Sequence, residues 1–208
     1  MKKAVLLLSG GMDSAVTLYI ARKKGYKTYC LIFDYGQRHR KEVGFAKRIA
    51  RITNSEYLVL DIKLPWQKSA LLDKGISVPQ NRNLSSKKRG IPITYVPARN
   101  TIFISFGLSF AEAIGAKSIF IGANARDFSG YPDCRPLYFK RFNDLVKKAT
   151  KARGITIEAP LLYKRKEEIV EIGRKLGVPF ELTWSCYKGG RKPCGKCDAC
   201  RLRKKGFE

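Results

Sequence analysis

Six residues near the start of the chain restrict most strongly what it can fold into. Ser9-Gly10-Gly11-Met12-Asp13-Ser14 follow directly on an apolar run over 4–8 and open a helical pattern over 13–24. A strand that feeds a glycine turn and then a helix brings backbone N–H groups close to an oxyanion, and the helix N-terminus adds its partial positive charge. Ser9 and Ser14 supply hydroxyl donors. Asp13 is unwelcome beside phosphates unless a magnesium ion lies between them. The plain alternative is a tight turn capped by Ser and Asp. The complete hexapeptide, placed between a strand and a helix, favours phosphate binding.

The remaining pattern is that of an α/β chain. Strand-like runs lie at 27–33, 56–61, 117–122 and 156–159, and helical spacing lies at 37–53, 101–114, 137–153 and 166–176. These predict a doubly wound, mostly parallel five-stranded sheet with helices on both faces, spanning 1–182. Two stretches break the rhythm. Residues 63–95 hold Pro, Asn, Ser and Lys with little periodicity and read as a long insert or mobile loop. Residues 183–208 form a Gly/Lys/Cys tail that cannot build a core alone.

With 44% hydrophobic and 11% aromatic residues in 208, the chain can bury a core. Its apolar N-terminal run is too short for a membrane span, and no cleavage site follows it, so a cytoplasmic location is expected. The formal charge of +25 favours polyanions such as tRNA. It equally suits the Lys-rich surface of a protein from a hot or salty habitat. The basic residues are spread along the chain, so tRNA is compatible with the charge and not required by it.

Four of the six cysteines gather at the C-terminal end: Cys186, then Cys194-Gly-Lys-Cys197-Asp-Ala-Cys200. The two-residue gaps let successive thiolates reach one tetrahedral ion, and neighbouring Lys192, Lys196 and Arg201 favour the thiolates. Four ligands close the shell, so structural zinc is the natural reading, with an iron–sulfur cluster as its rival. Residues 190–196 also satisfy G-x-x-x-x-G-K, but Cys197 follows where a Walker loop needs Ser or Thr, and no strand precedes them.

Three further segments carry unusual chemistry. They are Asp34-Tyr35-Gly36-Gln37-Arg38-His39, Val96-Pro97-Ala98-Arg99-Asn100 and Ser129-Gly130-Tyr131-Pro132-Asp133-Cys134-Arg135. The first and third follow predicted strands, where open α/β sheets bind their ligands. The glycine loop resembles the SGGxDS loop of the ATP pyrophosphatases. With the three segments, Thr183-Trp184-Ser185-Cys186-Tyr187 and the closing cysteines, the chain is similar over nearly its whole length to the 7-cyano-7-deazaguanine synthase family. Ala125-Arg126, where more apolar residues are the rule, and the high charge depart from that pattern.

The resemblance implies an ATP-dependent ligase that uses Mg2+ and Zn2+ and joins ammonia to 7-carboxy-7-deazaguanine. The carboxylate is adenylated, ammonia gives an amide, and a second adenylation allows elimination to the nitrile, a precursor of queuosine and archaeosine. ATP is expected along Leu8, Ser9, Gly10, Gly11, Met12, Asp13, Ser14, Ala15, Val16, Thr17 and Leu18. Asp13, Arg99, Asp133 and His39 are the expected catalytic set. Arg99 suits a phosphate or the substrate carboxylate, Asp133 suits the guanine-like edge, and Cys134 is a weak candidate for a nucleophile. The family is commonly homodimeric. A tRNA-modifying thiolase or ligase on the same fold is the alternative.

Overall fold

The computed structural model describes residues 1–66, 68–83, 90–126 and 130–208. The element order is β1 (Lys3–Leu7), α1 (Met12–Lys23), β2 (Lys27–Asp34), α2 (Lys41–Ile52), β3 (Glu56–Asp61), α3 (Arg99–Ile114), β4 (Ser118–Ile121), α4 (Pro136–Ala149), β5 (Thr156–Glu158), α5 (Lys166–Lys175) and α6 (Asp198–Phe207). The strands form one parallel sheet in the order β3-β2-β1-β4-β5. The sheet is therefore doubly wound: the chain steps outward from β1 to β3, returns across, and resumes at β4 on the other side.

Alternation along each strand divides the core into two layers. Val5, Leu7, Leu31, Phe33, Ile119 and Ile121 face α3 and α4. Ala4, Leu6, Leu8, Cys30, Ile32 and Phe120 face α1, α2 and α5. Leu6, Leu31, Ile119 and Phe120 are essentially inaccessible, and each such side chain contributes about 1.5–3 kcal/mol of burial free energy. None of the helices is long and apolar enough to cross a membrane among the described residues.

The structure departs from the sequence reading in three places. The second helix begins at Lys41, because Gln37 turns its side chain back onto the strand, accepting from the Tyr35 N–H and donating to the Phe33 carbonyl. The described part of 63–95 has no regular element, yet it is packed: Ala70, Leu71 and Val78 are buried, and Arg38 donates to the carbonyls of Asp73 and Ile76. The C-terminal tail contains α6, which the composition did not reveal. Val78 and Ala70 share an apolar cluster with Trp184, Cys186, Cys197 and Cys200, and Gln80 bridges Cys197. The irregular segment is thus the floor under the cysteine tail.

Candidate active site

The winding reverses between β1 and β4, and their carboxyl ends open a crevice there. A cavity of about 230 Å³ lies at this point. Its wall carries Leu8, Ser9, Gly11, Met12, Asp13 and Ser14 at one end and Tyr35, Arg99, Phe103, Tyr131 and Tyr187 at the other. His39, Glu42, Asn100, Cys134, Lys166 and Arg203 also line it.

The glycine loop is pre-shaped. Ser9 Oγ donates to Ser14 Oγ at 3.0 Å and accepts from the Gly11 N–H, while Ser14 Oγ donates to the Gly11 carbonyl. Gly10 is left-handed at φ 81°, and a Cβ there would lie 2.2 Å from the Glu42 carbonyl oxygen. Only glycine lets α2 approach so closely. Of the stretch expected to meet ATP, Ala15, Val16, Thr17 and Leu18 lie behind the wall, inside α1.

Asp13 sits in the first turn of α1. One carboxylate oxygen accepts from Lys166 Nζ at 2.6 Å, and the other is buried with no hydrogen-bond partner. A buried, unpartnered carboxylate oxygen is costly, and a divalent cation would satisfy it. Lys166, the first residue of α5, was missed at the level of sequence. It reads there as one lysine among many, and only the fold brings it across to Asp13.

At the opposite end Arg99 opens α3 and donates to the Tyr35 hydroxyl at 3.0 Å. Burial works against its charge, but Tyr35, Tyr131 and Asp133 more than offset this, so Arg99 stays a cation. Burial pushes the Tyr35 hydroxyl up to about 12 and raises those of Tyr131 and Tyr187, so all three remain protonated. A guanidinium among neutral phenols favours a flat anion.

Asp133 is buried beside this end but does not line the cavity. Its Oδ2 accepts from the Asn100 N–H at 3.0 Å, and Asn100 Nδ2 donates to the Asp133 carbonyl. It stands in for the cap that Ala98, left-handed at φ 51°, cannot provide, and it fixes the backbone that carries Arg99. Burial raises its pKa. Asn100 also donates to Cys134 Sγ, and burial pushes that thiol up to about 12. Ser129, the first residue of the third segment, lies outside the described residues.

The sulfurs of Cys186, Cys194, Cys197 and Cys200 all lie within 4.8 Å of one another. Cys194 and Cys200 are 3.9 Å apart, against about 3.8 Å for a tetrahedron with bonds near 2.3 Å. Backbone N–H groups of Cys194 and Cys197 point at Cys186 and Cys194 sulfurs. Burial opposes ionisation of Cys194, but backbone donors bring its thiol down to about 7, while burial raises Cys197 and Cys200. Four such sulfurs suit a metal ion. The cluster also shapes the cavity. The Trp184 N–H donates to the Gly10 carbonyl at 2.9 Å, and α6 contributes Ala199, Leu202 and Arg203 to the wall. Arg203 in turn donates to the Thr183 hydroxyl and the Phe180 carbonyl.

Residues 3–208 match the family model described as Queuosine biosynthesis protein QueC. The chain belongs to this family. It is 49% identical over 212 residues to the 7-cyano-7-deazaguanine synthase of Nostoc sp., covering 99% of this chain and 92% of that one. It is 50% identical over 210 residues to the synthase of Picrophilus torridus, covering 100% and 87%. Among solved structures, it is similar to NMN synthetase from Francisella tularensis with a TM-score of 0.54 at 21% identity, over 89% of this chain and 66% of that one. It is also similar to a 4-thiouridine synthetase–RNA complex with bound ATP, with a TM-score of 0.50 at 21% identity, over 99% and 53%. These two likenesses show the fold alone. The glycine loop, the Arg99 segment and the cysteine tail all lie within the matched residues.

Proposed function

We propose that this chain converts 7-carboxy-7-deazaguanine and ammonia to 7-cyano-7-deazaguanine, splitting ATP to AMP and pyrophosphate at each of two activations. One observation carries the reading: a near-50% identity to synthases of that name runs the whole length of the chain. The cavity supports it, joining a phosphate loop to an arginine–tyrosine end.

A carboxylate is a poor electrophile because its oxygens leave badly. Adenylation gives it AMP as a leaving group, and ammonia then forms the amide. Adenylation of the amide oxygen prepares the elimination that yields the nitrile. Both activations act on oxygens of one carbon, so one loop serves both. Ser9, Gly11 and Ser14 bind the ATP phosphates at the N-terminus of α1. Asp13, with its unpartnered oxygen, holds the magnesium ion, which when bound supplies positive charge to the phosphates. Lys166 holds the Asp13 carboxylate in place. Arg99 and Tyr35 grip the substrate carboxylate, and Phe103, Tyr131 and Tyr187 pack on the deazapurine. Asp133 positions Arg99 through Asn100.

The four cysteines hold zinc as a structural ion, so that 183–208 completes a wall of the 1–182 domain. A purified protein that is colourless and contains one zinc per chain fits this assignment. A brown protein absorbing in the visible contradicts it. Two copies pair through exposed apolar side chains of β3 and α3, among them Leu58 and Phe106, and light scattering of Phe106→Asp checks this by showing a monomer.

The reading is tested by incubating the protein with the carboxy-deazaguanine, ammonium and Mg-ATP. Nitrile and AMP are the expected products. ADP alone, or no turnover, contradicts it.

A further inference from the structure

We propose that His39, held by Glu42, is the base that removes protons from the reacting nitrogen. This rests on the function proposed above and goes beyond it, because that reading leaves the protons without an acceptor. The nitrogen enters as ammonium and ends as a nitrile, so it sheds all four of its hydrogens. One is lost as ammonium becomes ammonia. A second is lost after the ammonia lone pair attacks the acyl carbon, when the C–O electron pair departs with AMP. The last two leave the O-adenylated amide, whose N–H electron pairs become the lone pair and the third bond of C≡N as the second C–O pair leaves with AMP.

Few groups on the cavity wall can take those protons. Arg99 is a cation, and the phenols of Tyr35, Tyr131 and Tyr187 stay protonated, as does the Cys134 thiol. One oxygen of Asp13 is engaged by Lys166, and the other is the one assigned to the magnesium ion in the proposed function. His39 and Glu42 remain, and both line the cavity.

Their geometry is that of an oriented base. His39 Nε2 lies 3.1 Å from Glu42 Oε2, so the carboxylate fixes the tautomer with its proton on Nε2 and leaves Nδ1 as an acceptor. Nδ1 is buried and has no hydrogen-bond partner, in a side chain only 4% exposed. The other Glu42 oxygen accepts from Gln37 Nε2, and Gln37 is tied to the Tyr35 N–H. The dyad is also clamped from both sides. A Cβ on Gly10 would strike the Glu42 carbonyl, and one on Gly189, left-handed at φ 68°, would lie 2.5 Å from the Arg38 carbonyl and 3.1 Å from His39 Cα. The groups facing the imidazole are Glu42 from α2 and the Tyr187 ring, 5.7 Å away, from the cysteine tail, with Tyr35 and Arg99 beyond. The dyad thus stands between the phosphate loop and the tyrosine end, where the activated carbon lies in the proposed reaction.

The test uses the full-length protein and separates adenylation from nitrogen transfer. In a single turnover, His39→Asn is expected to keep carboxylate-dependent pyrophosphate release within about threefold of wild type, while amide and nitrile formation fall about 10²-fold. His39→Ala is expected to recover nitrile formation on addition of imidazole, a response that a purely structural histidine does not give. Glu42→Gln is expected to weaken both nitrogen steps less than His39→Asn does. Nitrile formation by His39→Asn at the wild-type rate overturns the proposal. So does an equal loss of adenylation and nitrogen transfer without imidazole rescue. A wild-type protein that makes neither AMP nor nitrile overturns the underlying function instead, and is read in the same experiment before any variant.

Discussion

The two ends of the cavity are built in different ways. The phosphate end comes from six consecutive residues, Ser9 to Ser14, shaped by their own hydrogen bonds and by one helix N-terminus. The opposite end is assembled from four separate segments, which bring Tyr35, Arg99, Tyr131 and Tyr187 to one place. In the proposed function the difference follows from what each end has to hold. Backbone N–H groups of a single turn can surround a phosphate. A flat heteroaromatic anion needs walls from several directions and one fixed cation, and only the finished fold supplies these. Damage at the first end should therefore stop both activations, and damage at the second should be selective for the substrate.

The largest effect is expected at Asp13. Asp13→Asn removes one charge from the carboxylate that Lys166 holds and the metal needs, and both AMP-forming steps should fall about 10³-fold in kcat. Release of AMP from the carboxylate and from the isolated amide, measured separately, should drop together. Arg99→Met comes next and sharpens the contrast. With the carboxylate as substrate, kcat/KM should fall about 10²-fold with the KM for ATP unchanged. With the neutral amide as starting material it should change by about threefold or less. An equal loss on both would place Arg99 on the phosphates.

Cys197→Ser, or removal of the metal by a chelator, acts at the seam between the ends. The melting temperature is expected to fall by about 10 °C, and ATP should bind more weakly, because Trp184 no longer steadies the Gly10 carbonyl. Calorimetry with and without ATP measures both. The smallest effect is expected at Cys134. Its thiol, pushed up to about 12 by burial, stays protonated across the neutral range, so Cys134→Ala should retain activity within about threefold. Its alkylation by iodoacetamide should be far slower than that of an ordinary thiol at about pH 8, and should keep climbing with pH above about 9, where that of an ordinary thiol levels off.

The same contrast explains what could be read before the fold was known. The alternation of Ala4, Leu6 and Leu8 with Val5 and Leu7 announces a strand buried on both faces, and the glycine hexapeptide announces the turn between that strand and a helix. Both are local signals. Lys166 carries no such signal, since its partner Asp13 lies 153 residues away. Glu42 looks like any helical glutamate until Gln37 and His39 close on it. Helix α6 was hidden because its buried positions, Asp198, Cys200, Leu202 and Gly206, form no continuous apolar stripe. It is held by the cysteine segment before it and by α5 beside it. Asp133 was legible as chemistry but not as placement, because only the structure shows its carboxylate turned onto the Asn100 N–H.

In the proposed reaction one cavity activates the same carbon twice, and product stoichiometry reads this out. With 15N-ammonium and Mg-ATP, the account predicts two AMP for every 15N-labelled nitrile made from the carboxylate, and one AMP for every nitrile made from the amide. A single AMP per nitrile from the carboxylate, or ADP in place of AMP, would contradict it.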